Sequence, residues 1–252
     1  MSKVPAADQT LQILRLLSSQ RGPMPAASIA AALGLPRSTV YHLLGVLIAH
    51  GFVLHFPEAR RYGIGVAAYE LSSAFSRQEP LSRLGRPILA ALVDSIGESG
   101  HVAVLHGRDV VYIAEERARR RPRLVTDVGV RLPSHLTASG RALLATLPAE
   151  QLRALYPDAD AFDDRTGAGP HTYGELKRVV AEVRARGYAT EDGEVTPGFA
   201  SVAVSVRDHA GWPAAGIAVT FPRENIPHAD WDALAGRVRE AAAELSRRIR
   251  GT

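Results

Sequence analysis

Cysteine is absent from the chain, so neither a disulfide framework nor a thiolate metal site is available. No apolar run approaches the roughly 18 residues that a bilayer span needs, and residues 1–9 lack the apolar core of a secretion signal. The expected location is the cytoplasm, with no membrane partner. The nine histidines show no H-E-x-x-H spacing, and neither a metal nor a cofactor is expected. A G-x-x-x-x-G-K-[ST] phosphate loop is missing, as is the G-x-S-x-G elbow that exposes a nucleophilic serine. Internal repeats and low-complexity tracts are also missing.

What is present is an ordinary globular composition, 46% hydrophobic and 22% charged, over 252 residues. That length suits one large domain or two modest ones. The net charge of +4 is unevenly placed. Residues 1–77 hold the seven cations Lys3, Arg15, Arg21, Arg37, Arg60, Arg61 and Arg77 against the three anions Asp8, Glu58 and Glu70, a balance of +4. The remainder therefore sums to zero. A basic first third beside a neutral remainder points to a polyanionic partner.

Helical spacing of Leu11, Ile13, Leu14, Leu16 and Leu17 predicts a helix over 10–19, with Asp8 or Thr10 as its cap. An Ala-rich helix follows over 26–33. Gly34 ends it, because a residue without Cβ enters the left-handed turn freely. Pro36 suits the first turn of a third helix that runs to about His50. Residues 52–56 and 61–64 read as two strands about a turn at Pro57–Arg60. A linker helix is expected over 65–79, including Val66, Tyr69 and Leu71. Beyond it come a helix over 81–96, a hairpin at 101–105 and 110–114 about Gly107, and a basic loop holding Arg117, Arg119, Arg120, Arg121 and Arg123. That loop reads as solvated. A helix is expected near Thr137, and another from Thr172 to Gly187, where Thr172 and Glu175 have capping-box spacing. Strands over 201–206 and 214–221 and a helix over 228–249 complete an α+β pattern.

The stretch from Met24 to His50 carries the chemistry of the first part. Val40, Leu43, Leu44 and Leu47 recur at i, i+3, i+4 and i+7, which fixes a buried stripe. The opposite edge then offers Arg37, Ser38, Thr39, Tyr41 and His42, all able to hydrogen-bond base edges or phosphate when the helix leads into a major groove. Arg60 and Arg61, at the expected hairpin tip, would set cations against phosphate or the minor groove. A structural three-helix bundle would show the same helical pattern. The following hairpin and the local charge favour a winged helix-turn-helix on double-stranded DNA.

These residues resemble the IclR family of bacterial regulators. The resemblance runs from Leu11-Gln12-Ile13-Leu14 and the stretch Ile29 to Leu44, through Arg61-Tyr62-Gly63-Ile64-Gly65, to Arg131-Leu132-Pro133-Ser134-His135-Leu136-Thr137-Ala138-Ser139-Gly140-Arg141-Ala142 and Arg186–Gly198. It implies an N-terminal winged helix-turn-helix over 1–64, a linker helix over 65–79, and a GAF-like effector-binding domain over 80–252. It also implies dimers or dimers of dimers on a palindromic operator, responding to a small organic acid. Carried over residue by residue, the effector pocket would be lined by Leu124, Leu132, Ala138, Ser139, Glu191, Phe199, Ser201, Ala218 and Thr220. The start of the helix after Thr137 would aim N–H groups of Ala138 and Ser139 at a carboxylate, while Ser201 and Thr220 orient it. Serine at 201 and alanine at 218 depart from common family choices, and with Phe199 they favour a less polar or aromatic ligand. A buried Glu191 or Glu194 would repel an anion unless protonated or paired.

Two other classes compete. A hydrolase would use Ser139 with His135 or Glu191, but has no nucleophile elbow. A winged helix could instead bind protein, and would then show no salt-dependent retention on DNA.

Overall fold

Proline and glycine punctuate the first third of the chain, and the helices fall between them. The computed structural model describes residues 4–20, 22–68, 70–71, 80–119, 127–208 and 211–250. The chain divides into two units, Met1–Gln78 and Glu79–Thr252.

In the first unit, α1 spans Pro5–Ser19 and begins earlier than the leucine spacing indicates. Pro5 opens it, since its fixed φ and missing N–H cost nothing in a first turn. Neither expected cap serves: Thr10 Oγ1 donates to Ala6 O at 2.7 Å, and Asp8 accepts from Gln12 Nε2 at 3.0 Å. Helix α2, Ala26–Leu33, ends at Gly34 with φ 63°. Helix α3, Arg37–Ala49, starts one residue after the expected place, with Pro36 extended before it at ψ 138°. The chain bends by 114° between α2 and α3, within the range of helix-turn-helix motifs. A three-stranded antiparallel sheet in the order β1-β3-β2 completes the wing: β1 Met24–Pro25, β2 Val53–Phe56 and β3 Arg61–Ile64. Strand β1 was too short to show a period. Ile13, Leu17, Ile29, Val40, Leu44, Leu47, Val53 and Tyr62 form one core. Residues 66–68 and 70–71 are helical. Residues 69 and 72–79, the rest of the expected linker helix, lie outside the described residues.

The second unit is built on a six-stranded antiparallel sheet in the order β6-β5-β4-β9-β8-β7. The strands are β4 Ser99–His106, β5 Asp109–Glu116, β6 Arg131–Pro133, β7 Ala189–Asp192, β8 Phe199–Arg207 and β9 Pro213–Pro222. Helices α4, Pro80–Ile96, and α8, Trp231–Arg250, cover one face. Val202, Val204 and Val206, alternating along β8, pack there with Leu89, Ile217, Val238 and Leu245. Ala203 and Ala218 turn to the other face, against Ala138 and Ala142 of the short helix α5, Ala138–Leu144, and Val183 of α7, Tyr173–Arg186. Helix α6, Ala149–Leu155, lies between α5 and α7 in the chain. The caps at Thr172 and Gly187 of α7 form as expected, with a reciprocal capping box to Glu175. Among the described residues no single helix is long and apolar enough to cross a membrane.

Candidate functional sites

The first site is the leading edge of α3. Its buried stripe is Val40, Leu44 and Leu47, each at most 3% exposed. Arg37, Ser38, Tyr41 and His42 stand exposed on the edge this leaves free, while Thr39 is half-buried. Val46 and Ile48 are also exposed further along the helix. The wing distinguishes its two arginines. Arg60 sits in the turn, and with φ 50° it is the one non-glycine residue at positive φ among the described residues. Arg61 is not at the tip: it begins β3 opposite Phe56, and its Nη1 donates to Pro23 O at 3.2 Å. Antiparallel pairing takes Arg61 into the ladder, so the tip cation is Arg60. His55 stacks on Tyr62 at 4.6 Å and stiffens the hairpin.

The second site is a cavity on the α5 face of the sheet. The strand register sets a polar row across it, because Glu191 pairs with Ser201, Ser201 with Thr220, and Thr220 with Ser99. Two residues along, the row from Ala189 runs through Ala203, Ala218 and His101 to Glu115. The walls are Glu191, Ser201, Thr220, Ala218, Phe199, Ala138 and Ser139, together with His101, Tyr112, Thr137, Val195 and Thr196. The free space is about 20 Å³, room for one water-sized body. Seven residues carried over from the family pattern thus meet in one place. Leu132 is not among them: it packs with Val110, Tyr112 and Leu143, because β6 pairs it with Val110 at the sheet edge. Leu124 lies outside the described residues, as do Arg120, Arg121 and Arg123 of the basic loop. Arg117 of that loop is tied down by ion pairs with Glu115, at 2.9 Å, and with Asp127.

Hydrogen bonding along the polar row is dense. Ser201 Oγ donates to Glu191 Oε1 at 2.8 Å and lies 2.9 Å from Thr220 Oγ1. The Val195 N–H reaches Glu191 Oε2 at 3.4 Å. Burial nonetheless pushes the Glu191 carboxyl up to about 7, and the charge of Glu194 adds to the rise, against the lowering hydrogen bond of Ser201. Glu194 itself is paired, 3.0 Å from Arg141 Nη1. Arg141 is held by His135 O and Thr190 O, each at 2.8 Å. The two glutamates therefore differ: Glu194 is a structural ion-pair partner and Glu191 the carboxyl facing the cavity.

Helix α5 is set by Thr137, whose Oγ1 accepts the Gly140 N–H at 3.1 Å, and by Gly140, where a Cβ would fall 2.2 Å from Ser134 O. With seven residues, α5 has little macrodipole to offer an anion, so the expected helix-start site gives way to the side chains around it. His101 and Tyr112 have no sequence signal of their own. Each sits in an apolar strand that reads as plain core.

A winged helix-turn-helix joined in one chain to an α+β unit built on a six-stranded antiparallel sheet is the architecture of a transcription regulator. Residues 6–55 match the IclR helix-turn-helix domain, and residues 74–247 match the C-terminal domain of bacterial transcriptional regulator IclR. The chain belongs to the IclR family of transcriptional regulators. It is similar to the HTH-type transcriptional regulator BhcR of Paracoccus denitrificans, 32% identical over 96% of this chain and 86% of the relative. The crystal structure of Thermotoga maritima IclR superposes with TM-score 0.73 at 25% identity, covering 97% of this chain and 98% of the other. An IclR homologue from Microbacterium hydrocarbonoxydans, complexed with 4-hydroxybenzoate, has the same fold, with TM-score 0.82 at 19% identity, covering 98% of this chain and all of the other.

Proposed function

We propose that this protein binds a palindromic operator in double-stranded DNA as a homodimer or dimer of dimers, and that a small organic acid in the α5 cavity controls that binding. The observation that carries the reading is the division of α3: an aliphatic stripe in the core, and Arg37, Ser38, Tyr41 and His42 exposed on its leading edge. Arg37 can donate to a guanine edge and Ser38 to phosphate, with Thr39 half-turned from the duplex. Arg60 at the wing turn, with Arg61 beside it in β3, supplies cations for the flanking backbone. Symmetric oligomers and inverted repeats go together on geometric grounds.

In the cavity, whose walls must part from their water-sized free space to admit an acid, Ser139, Ser201 and Thr220 orient the ligand, and Phe199, Ala138 and Ala218 cover its carbon body. The ligand-bound homologue from Microbacterium hydrocarbonoxydans supports an organic acid, including an aromatic one. Binding favours one arrangement of the oligomer, and the segment between the units carries that preference to the reading heads. Only a difference in affinity for the two arrangements can do so. Hydrolysis is not favoured. His135 Nε2 is bonded to Asp163 O at 3.0 Å and Glu191 to Ser201, so neither is held as a base for Ser139.

Selection by the full-length protein from a pool of random duplexes tests the reading. An enriched inverted repeat, bound with an affinity that falls steeply with salt, is the expected result. Retention without enrichment, or no retention at all, overturns it.

A further inference from the structure

We infer that His101 selects the ligand of the α5 cavity, and that it selects for a hydroxyl group on a small organic acid. This rests on the ligand-binding reading above and makes it specific. His101 lies on β4, is 1% exposed, and lines the cavity beside Tyr112. The two rings meet edge-on at 5.5 Å, which fixes the imidazole plane. Neither ring nitrogen has a hydrogen-bond partner, and among the described residues of the lining it is the one side chain whose buried polar atoms lack one. Its neighbour across the strands does not serve it: Glu115 pairs with His101 in register, but its Oε2 holds Arg117 at 2.9 Å and its buried Oε1 reaches neither ring nitrogen. The Glu191 row, by contrast, is internally bonded from Val195 to Thr220.

A buried polar group without a partner is costly, and a bound molecule that supplies the partner recovers that cost as affinity. Burial, helped by the charge of Arg117, holds the imidazole pKa down at about 3. The ring is therefore neutral near pH 7, with one N–H donor and one bare acceptor nitrogen. A carboxylate oxygen satisfies only the donor, and an alkyl group satisfies neither. A hydroxyl satisfies whichever nitrogen faces the cavity, in either tautomer. Of two acids that differ by one hydroxyl, the hydroxylated one matches His101.

The test is calorimetric titration of the full-length protein with matched pairs: glycolate and acetate, lactate and propionate, 4-hydroxybenzoate and benzoate. At least one hydroxylated acid binds roughly fivefold to tenfold tighter than its partner, the equivalent of one buried hydrogen bond. His101→Phe removes that preference by weakening the hydroxylated acid alone, and His101→Asn, which keeps a donor and an acceptor, restores part of it. Should His101→Phe fail to fold, ¹⁵N spectra of the histidine-labelled parent give a second reading, since the hydroxylated acid shifts the His101 ring nitrogens and its partner does not. Equal binding within every pair, a preference that survives His101→Phe, or unmoved ring nitrogens each overturn the inference. Acids whose binding His101→Phe spares but Ser201→Ala weakens leave the cavity reading standing without it. Absence of binding by any acid overturns both.

Discussion

Arg37 opens α3 exposed, and nothing in the protein competes for its guanidinium among the described residues. Arg37→Ala is expected to weaken operator binding by about 1–3 kcal/mol at fixed salt, checked by gel shift or anisotropy. Arg60 differs because its backbone is strained. A left-handed φ of 50° costs an L-residue about 1 kcal/mol relative to glycine. Arg60→Gly should therefore raise the melting temperature slightly while lowering DNA affinity and flattening its salt dependence, two readouts moving in opposite directions. Glu191 links charge to stability. Its folded pKa, raised from 4.5 to about 7, means the folded chain binds the proton more tightly than the unfolded chain. Its protonated form stabilises the fold fully below pH 4.5, and that contribution is lost as pH rises toward 7. His101, lowered from 6.5 to about 3, acts in the opposite sense, losing stability as pH falls through that window. Denaturant melts of the parent against Glu191→Gln isolate the carboxyl. The parent should lose stability relative to the variant between pH 5 and 7, as a folded pKa of about 7 requires, and a constant difference would remove Glu191 from this account.

At the scale of elements, the short helix α5 is the most constrained piece. A Cβ on Gly140 would lie 2.2 Å from Ser134 O and 2.3 Å from Ser134 Cα. Both are backbone atoms that cannot swing aside, so Gly140→Ala should cost about 3 kcal/mol or more, seen as a large drop in melting temperature. Thr172→Ala removes the acceptor of the Glu175 N–H at 3.3 Å and should cost about 1 kcal/mol, the usual worth of such a cap. Elements like these differ in how plainly the chain announces them. The caps of α7 and the glycine end of α2 depend on residues three or four positions apart, and both were legible. The start of α1 was not, since Pro5 opens a helix several residues before its first leucine. Strands β1, β6 and β7 have two to four residues, too few for an alternation to register.

For the whole molecule, the two units should respond separately to damage. Phe199→Ala is expected to alter the response of DNA binding to the acid while leaving ligand-free DNA affinity unchanged; equal acid titrations for variant and parent would count against Phe199 as a cavity wall. The sequence by itself determined the two-unit plan, the exposed polar edge of α3 and most of the walls of the cavity, the last through family motifs at Arg131–Ala142 and Arg186–Gly198. Those features follow from helical period, turn chemistry and short motifs, all carried by near neighbours in the chain. Only tertiary structure decided the rest. Pairing β9 between β4 and β8 brought His101 and Tyr112 to the same cavity as Glu191, and pairing Leu132 with Val110 took it away. Strand register is a long-range choice: a shift of one residue would turn every side chain of that strand to the other face, and no local pattern in the apolar run around His101 announces which way it falls.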